Sequence, residues 1–333
     1  GNDVILDTSH RLPSQILKVV QQEVGHIDER QEKNLSPRVE GGTVEAVESP
    51  SMLELVRNVR YTVEEQEGTL MVLFRARYQM FRFIDEFIDE GIPFRTLTDQ
   101  RMWTDRLNQY VDAVEKVDRD EPVDGLEARR LADMLADSAF GTNERDDFFD
   151  DIDERKEEAG VDDLTDVEFE ADFVTDHVPF MPAPAAAADM VRKVTSYQRN
   201  SMEAYFEGDY RDMDRDRVRV GTIHSAKGRE ADHVFVATDL TEKVVEQMAA
   251  SIDDETEVPE VDEFTSRTDP VPILTDNERR VFYVGMSRAR ERLVLMENLV
   301  SGAPTLPLDV LLENEPGEMT VEDVLAEEVE STP

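Results

Sequence analysis

TLMVLFRARYQMFRFIDEFIDEGIPFRT, residues 69–96, decides the architecture. Its first six residues form a continuous apolar run following Gly68, the pattern of a strand covered on both faces. The pattern then changes period. Met80, Phe83, Ile84, Phe87 and Ile88 recur at the spacing of one helical face, which predicts an amphipathic helix over 79–90. Gly91 ends that helix, and 93–97 predicts a second, short strand. Two strands joined through a helix cannot form a tight hairpin. They lie parallel in one sheet with the helix packed over it.

The same alternation continues on both sides. Upstream, 7–23 reads as a loop and then a helix, with Ser14 as candidate N-cap and Leu12, Ile16, Val19 and Val20 on one face. Gly41 and Gly42 punctuate the chain, 43–47 alternates like a strand, and 52–63 reads as a helix. Downstream, 101–117 is a helix with Trp103, Leu107, Tyr110 and Val114 on one side. From 118 to 188 the periodicity weakens and carboxylates dominate. Residues 179–188, PFMPAPAAAA, read as a linker. A helix follows over 189–206, then strands at 217–223 and 233–237, an acidic loop at 253–270, a helix at 277–287 and a last strand at 292–296. The sequence contains no internal repeat. The pattern predicts an α/β fold, a parallel sheet flanked by helices.

The chain has 333 residues, 39% of them hydrophobic, which suffices for packed cores and suggests about two domains. It has no cysteine, which excludes disulfides and thiolate metal sites. No stretch approaches the roughly 18 apolar residues of a membrane helix, and the first residues lack the basic start and apolar run of a secretory signal. The chain therefore reads as soluble and cytoplasmic, without a membrane partner. Its charge is unusual: 36 basic residues stand against 77 acidic ones, a net of -41. Lysine occurs only at 18, 33, 116, 156, 193, 227 and 243, and the other basic residues are arginine. Acid enrichment with lysine depletion fits a protein of molar salt, where the Debye length falls to about 3 Å and self-repulsion is screened. The expectation is a salt-adapted, halophilic source.

Against this background 278–292 stands out, with Arg279, Arg280, Arg288, Arg290 and Arg292 facing only Glu278 and Glu291. Such a cluster suits an anionic ligand, since guanidinium is always charged, planar and bidentate. Arginines pairing with carboxylates on a solvated helix would look the same. A second segment, GTIHSAKGRE at 221–230, lies between two apolar runs. Its small residues let backbone amides approach a phosphate, Thr222 and His224 can donate to phosphate oxygens, and Glu230 can accept from a sugar hydroxyl. An ordinary tight loop shares this composition.

Together, in this order, the two segments resemble superfamily 1 DNA helicases of the UvrD/Rep/PcrA type. GTIHSAKGREADHVFV is similar to motif V of that family and NERRVFYVGMSRARERLVL to motif VI. Residues 69–96 resemble the motif IVa region. LDTSHRLPSQIL at 6–17 resembles motif IV, whose usual form is nearer NYRS, with Arg11 retained and departures at His10 and Leu12. The resemblance implies a RecA-like parallel sheet, the P-loop NTPase fold of a second motor domain. That domain would occupy 1–117 and 189–314, with 118–188 as a reduced, mostly helical accessory insertion and 315–333 as an acidic tail. It further implies that Arg11 and Arg288 face the ATP γ-phosphate across a motor cleft, as catalytic and nucleotide-binding residues. Gly228 and Glu230 would touch the nucleotide, with Glu230 on the ribose. Thr222, His224 and Arg75 would grip single-stranded DNA. The plain alternative for Arg75 is an ion pair with a helix carboxylate.

No G-x-x-x-x-G-K-[ST] loop occurs in the sequence, nor a strand ending in a paired Asp-Glu. A phosphate cradle and a Mg²⁺ ligand are both needed to position ATP. In the family both belong to the first RecA-like domain. The expectation is therefore the C-terminal half of an ATP-dependent 3′-to-5′ DNA helicase of repair or replication. Its partners would be single-stranded DNA and an N-terminal RecA-like domain of the same polypeptide carrying the Mg²⁺ ligands, and it would be inactive alone. A stand-alone, non-hydrolysing module that holds single-stranded DNA or a partner is the alternative. A helicase-nuclease would need a further nuclease domain. The histidines lack metal-site spacing, and no G-x-S-x-G elbow occurs.

Overall fold

The structure, a computed structural model, describes residues 8–25, 27, 35–47, 51–100, 102–141, 144–208, 210, 213–241, 244, 275–297, 299 and 305. They fall into two compact units. The first takes its residues from 1–86, 95–100 and 216–333, and the second from 87–94 and 101–215.

The first unit is built on a six-stranded, wholly parallel sheet. Its strands are β3 (Thr43–Val47), β4 (Leu70–Phe74), β5 (Arg95–Thr96), β8 (Val218–Thr222), β9 (Ala231–Ala237) and β10 (Ala289–Met296), in the order β3-β10-β9-β4-β8-β5. This is the helix-flanked parallel α/β sheet that the sequence pattern predicts. Every residue of β4 is buried, as its apolar run requires, because β4 lies inside the sheet between β9 and β8. The helices are α1 (Ser14–Gly25), α2 (Met52–Glu65), α3 (Arg77–Ile88) and α10 (Asp276–Met286). Ser51 and Glu54 close a reciprocal capping box at the start of α2, and Thr275 caps α10. One core cluster joins Ile16, Leu17 and Val20 of α1, Phe282 and Met286 of α10, and Val234, Val236, Leu293 and Leu295 of the sheet.

Two local departures concern the ends of elements. The opening is a strand rather than a loop: β1 (Thr8–Pro13) pairs in parallel with β2 (Ser36–Val39) in a separate two-stranded sheet. Ser14 is the first residue of α1, and its hydroxyl accepts from the Gly41 amide at 3.1 Å. It thereby holds the glycine turn rather than capping its own helix. The expected acidic loop at 253–270 and the tail at 315–333 lie outside the described residues.

The second unit is mainly helical and takes in more of the chain than 118–188. It holds α4 (Asp105–Asp118), α5 (Gly125–Met134), α6 (Glu144–Ala159), α7 (Ala171–His177), α8 (Pro184–Met190) and α9 (Ser196–Glu207). A short antiparallel pair, β6 (Val123–Asp124) and β7 (Glu168–Phe169), completes it. Its core carries polar anchors on aromatic rings. Trp103 donates to Ser201 Oγ at 2.8 Å and meets the Tyr205 ring edge-on, and the Tyr110 hydroxyl donates to the Ala187 carbonyl at 3.0 Å. The stretch predicted as a linker becomes α8, with Pro184 in the first turn and Ala187 and Ala188 buried. The predicted helix over 189–206 is interrupted. Val191 bridges Leu135, Lys193 adopts a positive φ of 61°, and α9 starts afresh at a capping box of Thr195 and Gln198. No helix among the described residues is long and apolar enough to cross a membrane.

Candidate functional site

The singled-out residues of the first unit divide between the two ends of the parallel strands. Ala231 pairs with Ala289 in the sheet, so Glu230 and Arg288 sit side by side where β9 and β10 begin. Phe74 pairs with Thr222, so Arg75 and His224 follow the C-terminal ends of β4 and β8. Residues 223–230 connect these two ends. They begin as a 3-10 turn, Ile223–Ala226, whose Ile223 and Ala226 are buried in the core. Gly285 of α10 allows this: a Cβ there would already meet Ile223 at 3.3 Å.

At the starting ends of β9 and β10, two arginines bracket one carboxylate and a third arginine lies beside them. Arg11 of β1 donates to Glu230 Oε1 at 3.2 Å, and Arg290 donates to Glu230 Oε2 at 3.0 Å. Partial burial pushes the Glu230 carboxyl up, but the two guanidinium partners outweigh it and hold the group below its ordinary value. Arg11 keeps a buried Nε that has no acceptor among the described residues. Arg288 is 8% exposed and bonds only neutral oxygens: the Val284 carbonyl at 2.7 Å, Ser287 Oγ at 2.7 Å and the Arg229 carbonyl at 3.3 Å. Burial, and then the nearby positive charge of Arg11, draw the Arg288 guanidinium below its ordinary value. Gly228, just before this cluster, has a positive φ of 81°, and a Cβ there would meet nothing within 4 Å. Its backbone is open to an approaching group.

Carboxylate pairing accounts for four of the five arginines in 278–292. Arg279 pairs with the buried Glu23 of α1 at 3.4 Å, Arg280 with Asp276 at 3.3 Å, Arg290 with Glu230 at 3.0 Å and Arg292 with Glu45 at 2.7 Å. Among the described residues Arg288 has no carboxylate at ion-pair distance. A buried cation held only by neutral oxygens, beside a second arginine, has the chemistry to receive an anion.

At the opposite strand ends, Arg75 forms a bidentate pair with Glu278 of α10, both hydrogen bonds 2.7 Å long. The bond to Glu278 raises the Arg75 guanidinium above its ordinary value, against the effect of burial. Thr222 caps its own 3-10 turn, exchanging hydrogen bonds with Ser225. His224 is exposed. The structure thus brings Arg11, Glu230 and Arg288 together, with Gly228 two residues before Glu230, and places Arg75, Thr222 and His224 at the other ends of the strands. Arg290 and Glu278 belong to the basic cluster read from the sequence, which gave neither of them an individual role. Both lie in the arginine-rich segment, and only the fold shows which arginine meets which carboxylate. Among the described residues, no group of three His, Cys, Asp or Glu side chains could hold a metal ion.

Residues 198–299 match the family model described as the UvrD-like helicase C-terminal domain. The matched span includes β8, β9, α10 and β10, hence Gly228, Glu230 and Arg288, while Arg11 and Arg75 lie outside it. No curated protein matches the chain. A solved structure described as the C-terminal domain of a possible DNA helicase from Lactobacillus plantarum WCFS1 is similar at 10% identity, covering 92% of this chain and 94% of that chain, with a TM-score of 0.37.

Proposed function

We propose that the chain serves as the second motor domain of an ATP-dependent, 3′-to-5′ DNA helicase, completing the ATP site from one side and holding single-stranded DNA. The observation that carries this reading is Arg288, a buried guanidinium without a carboxylate among the described residues, beside Arg11. Two cations from segments far apart in the sequence suit the γ-phosphate of ATP. Gly228 supplies open backbone for the nucleotide, and Glu230 can exchange an arginine for a ribose hydroxyl. ATP would supply the free energy of phosphoryl transfer. This chain's own residues would hold developing phosphate charge, orient the sugar and tie hydrolysis to closure on a second domain. Arg75, Thr222 and His224 would face the strand backbone at the other end of the sheet, with Arg75 already fixed by Glu278.

The sequence contains no phosphate loop and no paired Asp-Glu strand end. We therefore assign the β-phosphate cradle and the Mg²⁺ ligands to an N-terminal RecA-like partner domain. A halophilic source accords with the acidic, lysine-poor composition, and the role would be cytoplasmic, in DNA repair or replication. The test is ATP turnover. The chain alone should hydrolyse nothing above background, with or without a single strand. In a polypeptide that also carries the phosphate-loop domain, Arg288→Ala should lower single-turnover hydrolysis by about 10³–10⁵. Turnover that follows the chain alone through purification and disappears in Arg288→Ala would overturn the assignment.

A further inference from the structure

Helices α2, α5 and α9 each open with a reciprocal capping box: Ser51 with Glu54, Asp124 with Glu127 and Thr195 with Gln198. Helix α10 opens with the same spacing, Thr275 and Glu278, and the Glu278 amide donates to Thr275 Oγ1 at 3.4 Å. The Glu278 carboxylate, however, turns away to Arg75. It accepts from Arg75 Nε on Oε2 and from Arg75 Nη2 on Oε1, each at 2.7 Å, from a residue 203 positions away in the sequence. Glu278 is a buried residue, and 11% of its side chain is exposed. Capping of its own helix therefore does not explain where this carboxylate points. Its effect on Arg75 does.

A guanidinium is planar and offers donors along more than one edge. Glu278 occupies the side-on edge, Nε with Nη2. The end-on edge, Nη1 with the other Nη2 hydrogen, has no acceptor among the described residues, and 18% of the Arg75 side chain is exposed. The root of the side chain is held as well. The Ala76 amide donates to Gln79 Oε1 at 2.9 Å, and Gln79 is buried. Phe74 pairs with Thr222, so the held guanidinium stands at the same strand ends as the 3-10 turn that begins at Ile223. An ion pair and a strand contact, alternatives for Arg75 in the sequence, are compatible on different edges of one guanidinium.

We propose that Glu278 is a positioning residue for the strand site: by holding Arg75 side-on, it aims the end-on donor pair at a phosphate of the bound single strand. The inference rests on the single-strand reading of the preceding subsection and gives a carboxylate a favourable part in holding a polyanion. Two effects of that carboxylate have opposite signs. Its charge repels the phosphates. Its grip fixes the long Arg75 side chain in advance, so that the strand need not order it on binding. Salt separates the two. In molar KCl the Debye length falls to about 3 Å, which screens the repulsion and leaves the orientation in force.

The test is a fluorescence-anisotropy titration of the full chain with labelled oligothymidine, at the highest KCl concentration at which wild type binds and well below each variant's thermal midpoint. Glu278→Gln removes a negative charge, so charge alone predicts tighter binding. Loss of the grip predicts the reverse, binding weaker by about three- to tenfold. Glu278→Asp keeps the charge and shortens the reach. It should also bind more weakly, and it carries the test if Glu278→Gln does not fold. In an Arg75→Gln background, which itself binds more weakly, Glu278→Gln should have no further effect, because Glu278 acts through Arg75. Unchanged or tighter binding by the Glu278 variants, or equal losses with and without Arg75, would overturn the positioning role and leave the single-strand reading standing. Wild-type protein that binds no strand at any salt would overturn that reading, and the positioning role with it.

Discussion

Glu230 is where the chemistry of single residues is most exposed to test. Its carboxylate bridges Arg11 and Arg290, and its side chain is 26% exposed. Partial burial raises its protonation tendency, while the two arginines lower it further than burial raises it. The sign for stability follows. A carboxyl held below its unfolded value stabilises the fold at pH above that ordinary value, near 4.5, and the contribution is lost as pH falls through the lowered value. Because both arginines are substantially solvated, the contribution should be small, about 1 kcal/mol or less. Glu230→Gln should therefore lower the urea midpoint slightly at pH 7. The difference from wild type should shrink as the pH falls below about 4.5 at constant salt. A difference that grows as the pH falls would show that the bridge does not act through the charge of Glu230. Arg75 and Glu278 contrast with this bridge. Their bidentate geometry and lower exposure, 18% and 11%, make them the firmer link between the end of β4 and α10.

Elements were readable where one physical signal dominated. β4 is an unbroken apolar run and is buried throughout, and α3 shows its helical period. β1 and β2 escaped because short strands without strict alternation look like loops. Their pairing depends on residues far apart in sequence. The interruption between α8 and α9 escaped for another reason. Apolar residues continue through 191, but the backbone turns at Lys193, and Thr195 with Gln198 starts a new helix. That T-x-x-Q signal was present in the sequence. The site divides in the same way. Its residue types were legible, but their grouping depends on parallel register, which no local pattern encodes. Gly91 shows an element boundary set by two constraints together. It was readable as a helix stop, and in the second unit it has a positive φ of 69° and lies against α9. A Cβ there would come within 2.3 Å of the Tyr205 amide nitrogen. Since that neighbour is backbone, it cannot rotate away. Gly91→Ala should destabilise the second unit by about 2 kcal/mol or more, combining left-handed strain with the clash. The measurement is the thermal midpoint followed by Trp103 fluorescence, and an unchanged midpoint would refute the close approach.

At the scale of the whole molecule, charge outweighs any single contact. With a net of -41, the folded chain repels itself unless counterions screen it. The ion pairs among the described residues cannot offset this, because most are solvated. Arg129 with Asp153 is 39% and 52% exposed, and Arg60 with Glu64 is 49% and 41%. Such pairs contribute about 0–1 kcal/mol each and weaken as salt is added. Two opposed trends follow: salt weakens the pairs slightly and relieves the repulsion strongly. Relief should win, raising the melting temperature by on the order of 10 °C between dilute buffer and molar KCl. The chain carries its own reporter of where stability is lost. Its one tryptophan, Trp103, is 5% exposed and belongs to the second unit, which includes the carboxylate-rich residues of α6. Helix α6 opens with Glu144, Asp146 and Asp147 and buries only Phe148 and Ile152, so repulsion there is opposed by little apolar contact. As KCl is withdrawn, Trp103 emission should shift to the red before the far-ultraviolet dichroism of the whole chain falls. The parallel sheet of the first unit, with its continuous core, should outlast the acidic helices. Coincident transitions would mean that the two units unfold together. A melting temperature independent of salt would remove high-salt adaptation as the reason for the acidity, leaving the carboxylates to be explained by what they bind.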